Sequence, residues 1–316
     1  MQRMHARIQK LSVRSRLSSA FGSVMASIPV CLLALCLFPR VMAQEVPYFV
    51  TYDHHLEEPG NLVLETFTTT GIPSGREPGQ HFYIAPYMEI EYGLTNRLTT
   101  SLYWEGQGTA GDSAVFTGWR FETRFRPSLR EHRINPVIYF EYESVNDASR
   151  INKEVVGEGV DLDAPNSRLR TVKNHELETK LILSSDFRKW NLSENFVVDK
   201  NLSRGEGFEF GYAVGVSRWL AKHDQIAYCR FCSQSLVVGA ELYGGFGSSL
   251  EPQFGPRDTA IYAAPSLSWQ VSPNASLRAS TAIGIAHETN AVLLRIGYSY
   301  EIRAFRRQPP KSADLR

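Results

Sequence analysis

Apolar and polar residues alternate along most of this chain, and the segment 114–127 shows the pattern best. One face of this segment carries Val115, Thr117, Trp119, Phe121, Thr123 and Phe125. The other face carries Gly118, Arg120, Glu122, Arg124 and Arg126. Because the side chains of a β-strand alternate between its two faces, the segment predicts a strand with one apolar and one charged face.

The pattern recurs in twelve segments, an even number as in single-chain bacterial barrels. The segments are 61–72, 81–92, 97–106, 114–126, 135–145, 174–184, 189–199, 206–219, 234–246, 259–271, 275–287 and 291–302. Almost no helical segment is available to cover so many apolar faces. We therefore predict an all-β fold, a single antiparallel transmembrane β-barrel of about twelve strands in an up-and-down meander, with lipid outside and a polar lumen. Glu194 is an exception, because it interrupts the apolar face of its segment.

A soluble β-sandwich or a lipocalin-like barrel is the alternative fold. Twelve strands are too many for one lipocalin, and a single small core would have to bury every large outward residue. The mean hydropathy is slightly negative, which argues against a helical membrane protein but not against a barrel, in which only alternate residues face lipid. Aromatic residues make up 11% of the chain, as the aromatic girdles of a barrel require.

Residues 1–43 have the pattern of a secretory signal peptide. A basic stretch without acids precedes the apolar run 28–38, and Val41-Met42-Ala43 resembles a cleavage site. The apolar run is too short to span a bilayer. Leu35 stands where a lipoprotein signal before Cys36 would need a small residue, so we expect no lipid anchor.

The rest of the chain divides into three parts. Residues 44–60 lack alternation and are interpreted as a periplasmic or lumen-entering segment, 61–302 as the barrel, and 303–316 as a basic periplasmic tail. Short turns alternate with longer loops, and counting the strands places both termini in the periplasm. The acidic loop 146–173, which contains Glu154, is expected to be solvated.

Charged residues are predicted to face the lumen and to pair across adjacent strands as a ladder. They are Glu105, Arg120, Glu122, Arg124, Arg126, Glu141, Glu143, Glu176, Glu178 and Lys180. The ladder has two interpretations, an internal salt-bridge network that fills the barrel and a polar eyelet that selects solutes by charge and size. Twelve strands lie between the eight whose interior side chains can fill and the sixteen or more that leave a channel, so the sequence leaves both open.

The last strand resembles the terminal assembly signal of bacterial outer-membrane proteins through Arg295, Gly297, Tyr300 and Ile302. The resemblance implies that the barrel-assembly machinery reads this strand by edge pairing. Such proteins usually end at the aromatic position, whereas this chain continues to Arg316. The whole barrel region also resembles a loose group of uncharacterised outer-membrane barrels, including the family linked to phenol degradation, which implies at most the movement of small molecules.

Two short motifs suggest other chemistry. Cys229 and Cys232 form a C-x-x-C motif without a thioredoxin-like context, so we expect a local disulfide, with redox and metal roles as alternatives. Asp53-His54-His55 contains adjacent histidines, which on a strand point to opposite faces. We therefore expect no metal there, and no cofactor elsewhere.

An outer-membrane hydrolase would need a histidine and a serine near the outer rim. His81 and His287 lie at outer loops, and Ser248 and Ser249 end a strand at the same side. Neither serine has a recognisable nucleophile context, so we expect no enzyme.

The sequence therefore predicts a passive pore or uptake channel for small molecules in the bacterial outer membrane. A plugged structural or surface barrel without transport is the first alternative, and a hydrolase at the rim is the second. The expected surroundings and partners are lipid, lipopolysaccharide, the barrel-assembly machinery and an unidentified small solute, and no nucleic acid.

Overall fold

The structure, a computed structural model, describes residues 46–74, 80–151, 154–156, 164–220, 235–253, 259–286 and 289–306. Within these ranges the chain forms twelve strands and one short helix, α1 (Asn166–Leu169). The strands are β1 (Leu62–Pro73), β2 (Tyr83–Thr95), β3 (Leu98–Thr109), β4 (Ala114–Phe125), β5 (Asn135–Asn146), β6 (Lys173–Phe187), β7 (Trp190–Asn201), β8 (Phe208–Trp219), β9 (Leu236–Ser248), β10 (Ile261–Ser272), β11 (Ala275–Gly284) and β12 (Asn290–Ile302).

Each strand pairs antiparallel with its neighbours in sequence, and β12 pairs with β1 to close the barrel. All twelve predicted strands are confirmed, including the one interrupted by Glu194. No helix of the described ranges has the length and apolar character needed to cross a membrane. Closure matters energetically, because it leaves no strand edge with unpaired backbone groups.

The two surfaces of the wall differ in chemistry as the alternation predicts. Large apolar side chains point outward and stay exposed, among them Phe121, Phe140 and Leu181. Their sequence neighbours Glu122, Glu141 and Lys180 point inward and are buried. A soluble protein would not leave such a continuous apolar belt in water, so the barrel is built to lie in a lipid bilayer.

The predicted face assignment is wrong at the start of β4. Val115 and Thr117 were expected on the outer face, but Thr117 is buried and Val115 packs against Leu169 of α1. The cause is a β-bulge, because Glu105 pairs with Gly118 while Gly106 already pairs with Phe116. One extra residue on β4 reverses the alternation on the two sides of the bulge.

The barrel has two ends of different character. The end that holds residues 60 and 306 also carries the two-residue connections 96–97, 188–189 and 273–274, and we call it the terminal end. The opposite end carries the longest connection, the one between β5 and β6, and we call it the loop end. Two stretches of chain enter the lumen: residues 46–60, here the lumen segment, and residues 147–151 with 154–156, here the inserted loop.

Candidate functional site

The lumen segment is held to the wall through its backbone. The carboxylate of Glu241 on β9 accepts hydrogen bonds from the backbone N–H groups of Phe49, Val50 and Thr51, at 2.9, 2.9 and 2.7 Å. On β11, Arg278 donates to the carbonyl of Tyr48 at 2.9 Å. These side chains satisfy backbone groups that would otherwise be buried without partners.

Asn195 on β7 holds the next residue of the segment by a paired contact. Its side-chain oxygen accepts from the backbone N–H of Tyr52 at 2.7 Å, and its amide nitrogen donates to the Tyr52 carbonyl at 2.8 Å. The amide thus provides the two hydrogen bonds that a neighbouring strand would provide. The segment docks as an extended chain without joining the barrel sheet.

The side chain of Tyr52 crosses into the charged part of the lumen. Its hydroxyl donates to Glu122 at 2.9 Å. The Arg124 guanidinium carbon lies 5.3 Å from the centre of its ring, and the Lys180 ammonium lies 4.7 Å from that centre. Cations stacked on an aromatic face add to the attraction, particularly where water is excluded. Tyr52 therefore links the segment to both sides of the charge ladder.

The ladder predicted from the sequence has Arg120 at its centre. Arg120 contacts Glu105 on β3 at 2.6 Å and Glu141 on β5 at 3.1 Å. Glu143 stands opposite Arg120 in register, but no ion pair between these two is found among the described contacts. Arg120 therefore joins three neighbouring strands rather than two.

A second set of pairs lies closer to the terminal end. Arg124 contacts Glu91 on β2 at 2.5 Å and Glu122 on its own strand at 2.8 Å. On β6, Lys180 contacts Glu178 at 2.8 Å. Glu176, also on β6, accepts a hydrogen bond from Asn201 at 3.0 Å.

Arg126 does not extend the ladder. The residue follows the last residue of β4, and its guanidinium lies 3.5 Å from Glu131 in the connection to β5. The alternation alone placed it on the strand, but β4 ends at Phe125.

The side of the lumen formed by β8 to β12 carries an apolar cluster. Its buried cluster includes Ala213, Tyr243, Tyr262, Ala282 and Leu293, together with residues of β2. Val50 of the lumen segment and Ile151 and Val155 of the inserted loop pack against this cluster. The loop and the segment thus cover this apolar cluster, while the charged residues on the same side of the lumen, Glu241, Arg278 and Arg295, have polar partners of their own.

The inserted loop lies close to the wall, which contradicts the prediction of a solvated acidic loop at Glu154, whereas Glu158, Asp161 and Asp163 of that loop lie outside the described residues. Val156 forms an isolated bridge with Gly211 on β8. A Cβ atom at Gly211 would lie 1.7 Å from the Val155 carbonyl oxygen, so only glycine permits this approach. Glu154 is buried and forms an ion pair with Arg295 on β12. The acid was expected in water because sequence does not show its partner.

The three residues Asp53, His54 and His55 gather near the terminal end. The rings of His54 and His55 lie 4.2 Å apart, because the segment is not a regular strand there. The charge of Asp53, 2.6 Å from His55 Nδ1, raises the pKa of His55 to about 11. Burial alone would raise the pKa of Asp53, yet the charge of His55 holds it below its ordinary value. The argument that adjacent histidines diverge therefore does not hold here.

The remaining predicted residues lie apart from this centre. Arg295 and Gly297 face the lumen, while Tyr300 faces outward on β12, which is fully paired with β1. Ile302 is the last residue of the same strand. Cys229, Cys232, His287 and the predicted signal peptide lie outside the described residues.

The serines considered for a rim hydrolase accept hydrogen bonds from the backbone near the end of β9 instead. Ser249 Oγ accepts from the backbone N–H of Phe208, and Ser248 Oγ accepts from the N–H groups of Leu250 and Glu251. Within the described ranges no histidine contacts either hydroxyl. An activated serine needs such a base.

Sequence reasoning missed the residues that hold the lumen segment. Glu241, Asn195 and Arg278 are polar residues on inward faces that the ladder did not include. The sequence carried one signal, because Glu241 is the only acidic residue of its strand. Nothing in the pattern showed that its partner would be the backbone of another segment.

Known proteins are similar to this chain in fold but not detectably in sequence. No known family profile matches the chain, and no curated protein sequence matches it. The fold is similar to that of the COG4313 outer membrane channel from Pseudomonas putida F1, with 11% identity and a TM-score of 0.52 over 81% of this chain and 100% of that one.

Two porins are more distant in structure. The KdgM porin has 10% identity and a TM-score of 0.44 over 76% of this chain and 98% of its own, and the NanC porin has 12% identity and a TM-score of 0.44 over 76% and 100%. The closed barrel and its apolar belt define the class of this protein as a transmembrane β-barrel of the bacterial outer-membrane type. The narrower resemblance to the phenol-degradation family stays a prediction.

Proposed function

We propose that this protein is an outer-membrane channel for small polar solutes, and that the lumen segment narrows its path. The observation that carries the proposal is the way the segment is attached. Polar side chains of the wall, above all Glu241 and Asn195, hold its backbone by hydrogen bonds. A segment held this way can leave and be replaced by water at Glu241 and Asn195, since these hydrogen-bonding groups are polar and can be solvated.

The charged inner wall supports the same function. Arg120, Arg124 and Lys180 form ion pairs with glutamate carboxylates of the wall itself. These ion pairs therefore do not depend on the segment. The likeness in fold to a protein described as an outer membrane channel is consistent with this proposal. Movement of small molecules in the manner of the phenol-degradation family would be a narrower form of it.

Single-channel conductance in a planar bilayer tests the proposal. Glu241→Ala removes the acceptor of three backbone hydrogen bonds and should increase the conductance or the open fraction at least severalfold. Glu194→Ala is the matched control, because this acid is exposed on the outer face of β7. A folded Glu241→Ala barrel that stays as silent as the wild type would contradict a channel and favour a structural barrel.

A further inference from the structure

The cluster at the terminal end has the composition of a transition-metal site. His54 Nε2, His55 Nε2 and Asp186 Oδ2 converge, since His55 Nε2 lies 3.2 Å and His54 Nε2 lies 4.0 Å from that oxygen. One ligand atom from each of these residues lies within 4.8 Å of the others. Tetrahedral zinc with bonds of about 2.0–2.2 Å separates its ligand atoms by about 3.3–3.6 Å, so the present distances need only small adjustments.

A fourth oxygen stands beside these three atoms. Glu131 Oε2 lies 3.1 Å from His54 Nε2, in the connection between β4 and β5. The side chain of Glu131 is 62% exposed, so it has room to turn toward the cluster. Two imidazoles and one or two carboxylates match the ligands that zinc takes in proteins.

The second nitrogen of each ring has its own partner, which is the arrangement that orients a metal-bound histidine. His55 Nδ1 lies 2.6 Å from Asp53 Oδ2, and His54 Nδ1 lies 2.9 Å from Ser184 Oγ. With Nδ1 of each ring held in this way, both Nε2 atoms lie on the side of Asp186, where a metal ion would replace any Nε2 proton.

Hydrogen bonds further out hold Ser184 and Asp186 in place. Ser184 Oγ accepts from Ser193 Oγ at 2.9 Å and from Asn191 Nδ2 at 3.2 Å. Asn191 Nδ2 then donates to Asp186 Oδ1 at 2.7 Å, which leaves Oδ2 directed at the histidines. The network therefore orients three ligands at once.

We propose that His54, His55 and Asp186 bind a divalent transition metal of the zinc type, with Glu131 or water as the fourth ligand. Two ligands belong to the lumen segment and one to β6, so the ion would fasten the segment to the wall. The inference does not rest on the proposed channel function, because it concerns binding and attachment only. Without a metal, the positive charge between Asp53 and Asp186 would be the protonated His55 ring.

Isothermal titration of the folded protein with Zn²⁺, purified without a histidine tag, tests the proposal. The wild type should bind one equivalent, and His55→Gln or Asp186→Asn should weaken binding at least about 100-fold. Asp53→Asn, which removes a positioning residue, should weaken it about 10–100-fold. Tetrahedral Co²⁺ absorption should appear in the wild type and be absent in His55→Gln.

His132→Gln is the matched control, because this histidine lies in the same connection as Glu131 and contacts Ser128 instead. Zinc should also slow hydrogen exchange in residues 46–57 of the wild type and of this control, but not in His55→Gln. Equal binding by the wild type and His55→Gln would overturn the proposal. So would binding that is lost in the Cys229→Ser, Cys232→Ser double variant and kept in His55→Gln.

Discussion

The two sides of the lumen differ in the contacts that their inward-facing side chains make. On β3 to β6 the inner wall is charged, and Arg120 and Arg124 pair with glutamates of the wall itself. On β8 to β12 it carries an apolar cluster, and Val50, Ile151 and Val155 from outside the strands cover that cluster. The charged residues find their ion-pair partners within the wall, whereas the apolar cluster is stabilised when other parts of the chain shield it from water.

This difference explains why the lumen segment and the inserted loop lie where they do. The loop packs on the apolar cluster near the loop end, and the segment reaches both sides, with Val50 on the cluster and Tyr52 among the charges. The charged side can therefore remain as a polar path when the segment leaves. The apolar side would expose tyrosine, alanine and leucine side chains.

The largest effect should come from breaking the charged side. Arg124→Ala removes the cation beside the buried Glu122 and the half-buried Glu91, which should destabilise the barrel by about 3–5 kcal/mol. Urea unfolding in lipid vesicles measures this change. Arg126→Ala is the control, since its contact with the exposed Glu131 should contribute under about 1 kcal/mol. Equal losses in both variants would mean that the buried ion pairs of Arg124 stabilise the barrel no more than an exposed contact does.

A smaller effect should follow on the apolar side. Ile151→Asp places a charge against the apolar cluster, and the cost of burying it unpaired should favour the loop in water. We expect cleavage by a protease within 147–156 to accelerate at least about tenfold, while the unfolding of the strands changes little. Ile151→Val, which keeps the apolar character, should behave as the wild type. A protected loop in Ile151→Asp would show that apolar cover does not hold it.

The smallest effect should come from the contact between the segment and the charged side. Tyr52→Phe keeps the ring between Arg124 and Lys180 but loses the hydrogen bond to Glu122, which is worth about 1 kcal/mol. Hydrogen exchange in residues 46–57 should accelerate about fivefold. Tyr142→Phe, which loses a hydroxyl contact with His175 on the outer face, should leave that exchange unchanged. No change in Tyr52→Phe would mean that backbone contacts alone hold the segment.

The strand number, the closure and most of the face assignments follow from the alternation, because a period of two determines which side chains share a surface. The failures are local and have physical causes. Thr117 lies on the unexpected face because a bulge inserts one residue, and hydropathy does not show where a strand slips. Arg126 was assigned to a strand that ends one residue earlier.

The sequence by itself determined a barrel with an apolar outside and a charged inside, since these are properties of neighbours along the chain. Only the tertiary structure decided what fills the lumen. Glu241 receives its three hydrogen bonds from residues 190–192 positions away, and Glu154 meets an arginine 141 positions away. His54 and His55 converge on Asp186 because their segment folds irregularly against β6. Contacts of this range depend on where the closed wall places each strand, and no local pattern encodes that position.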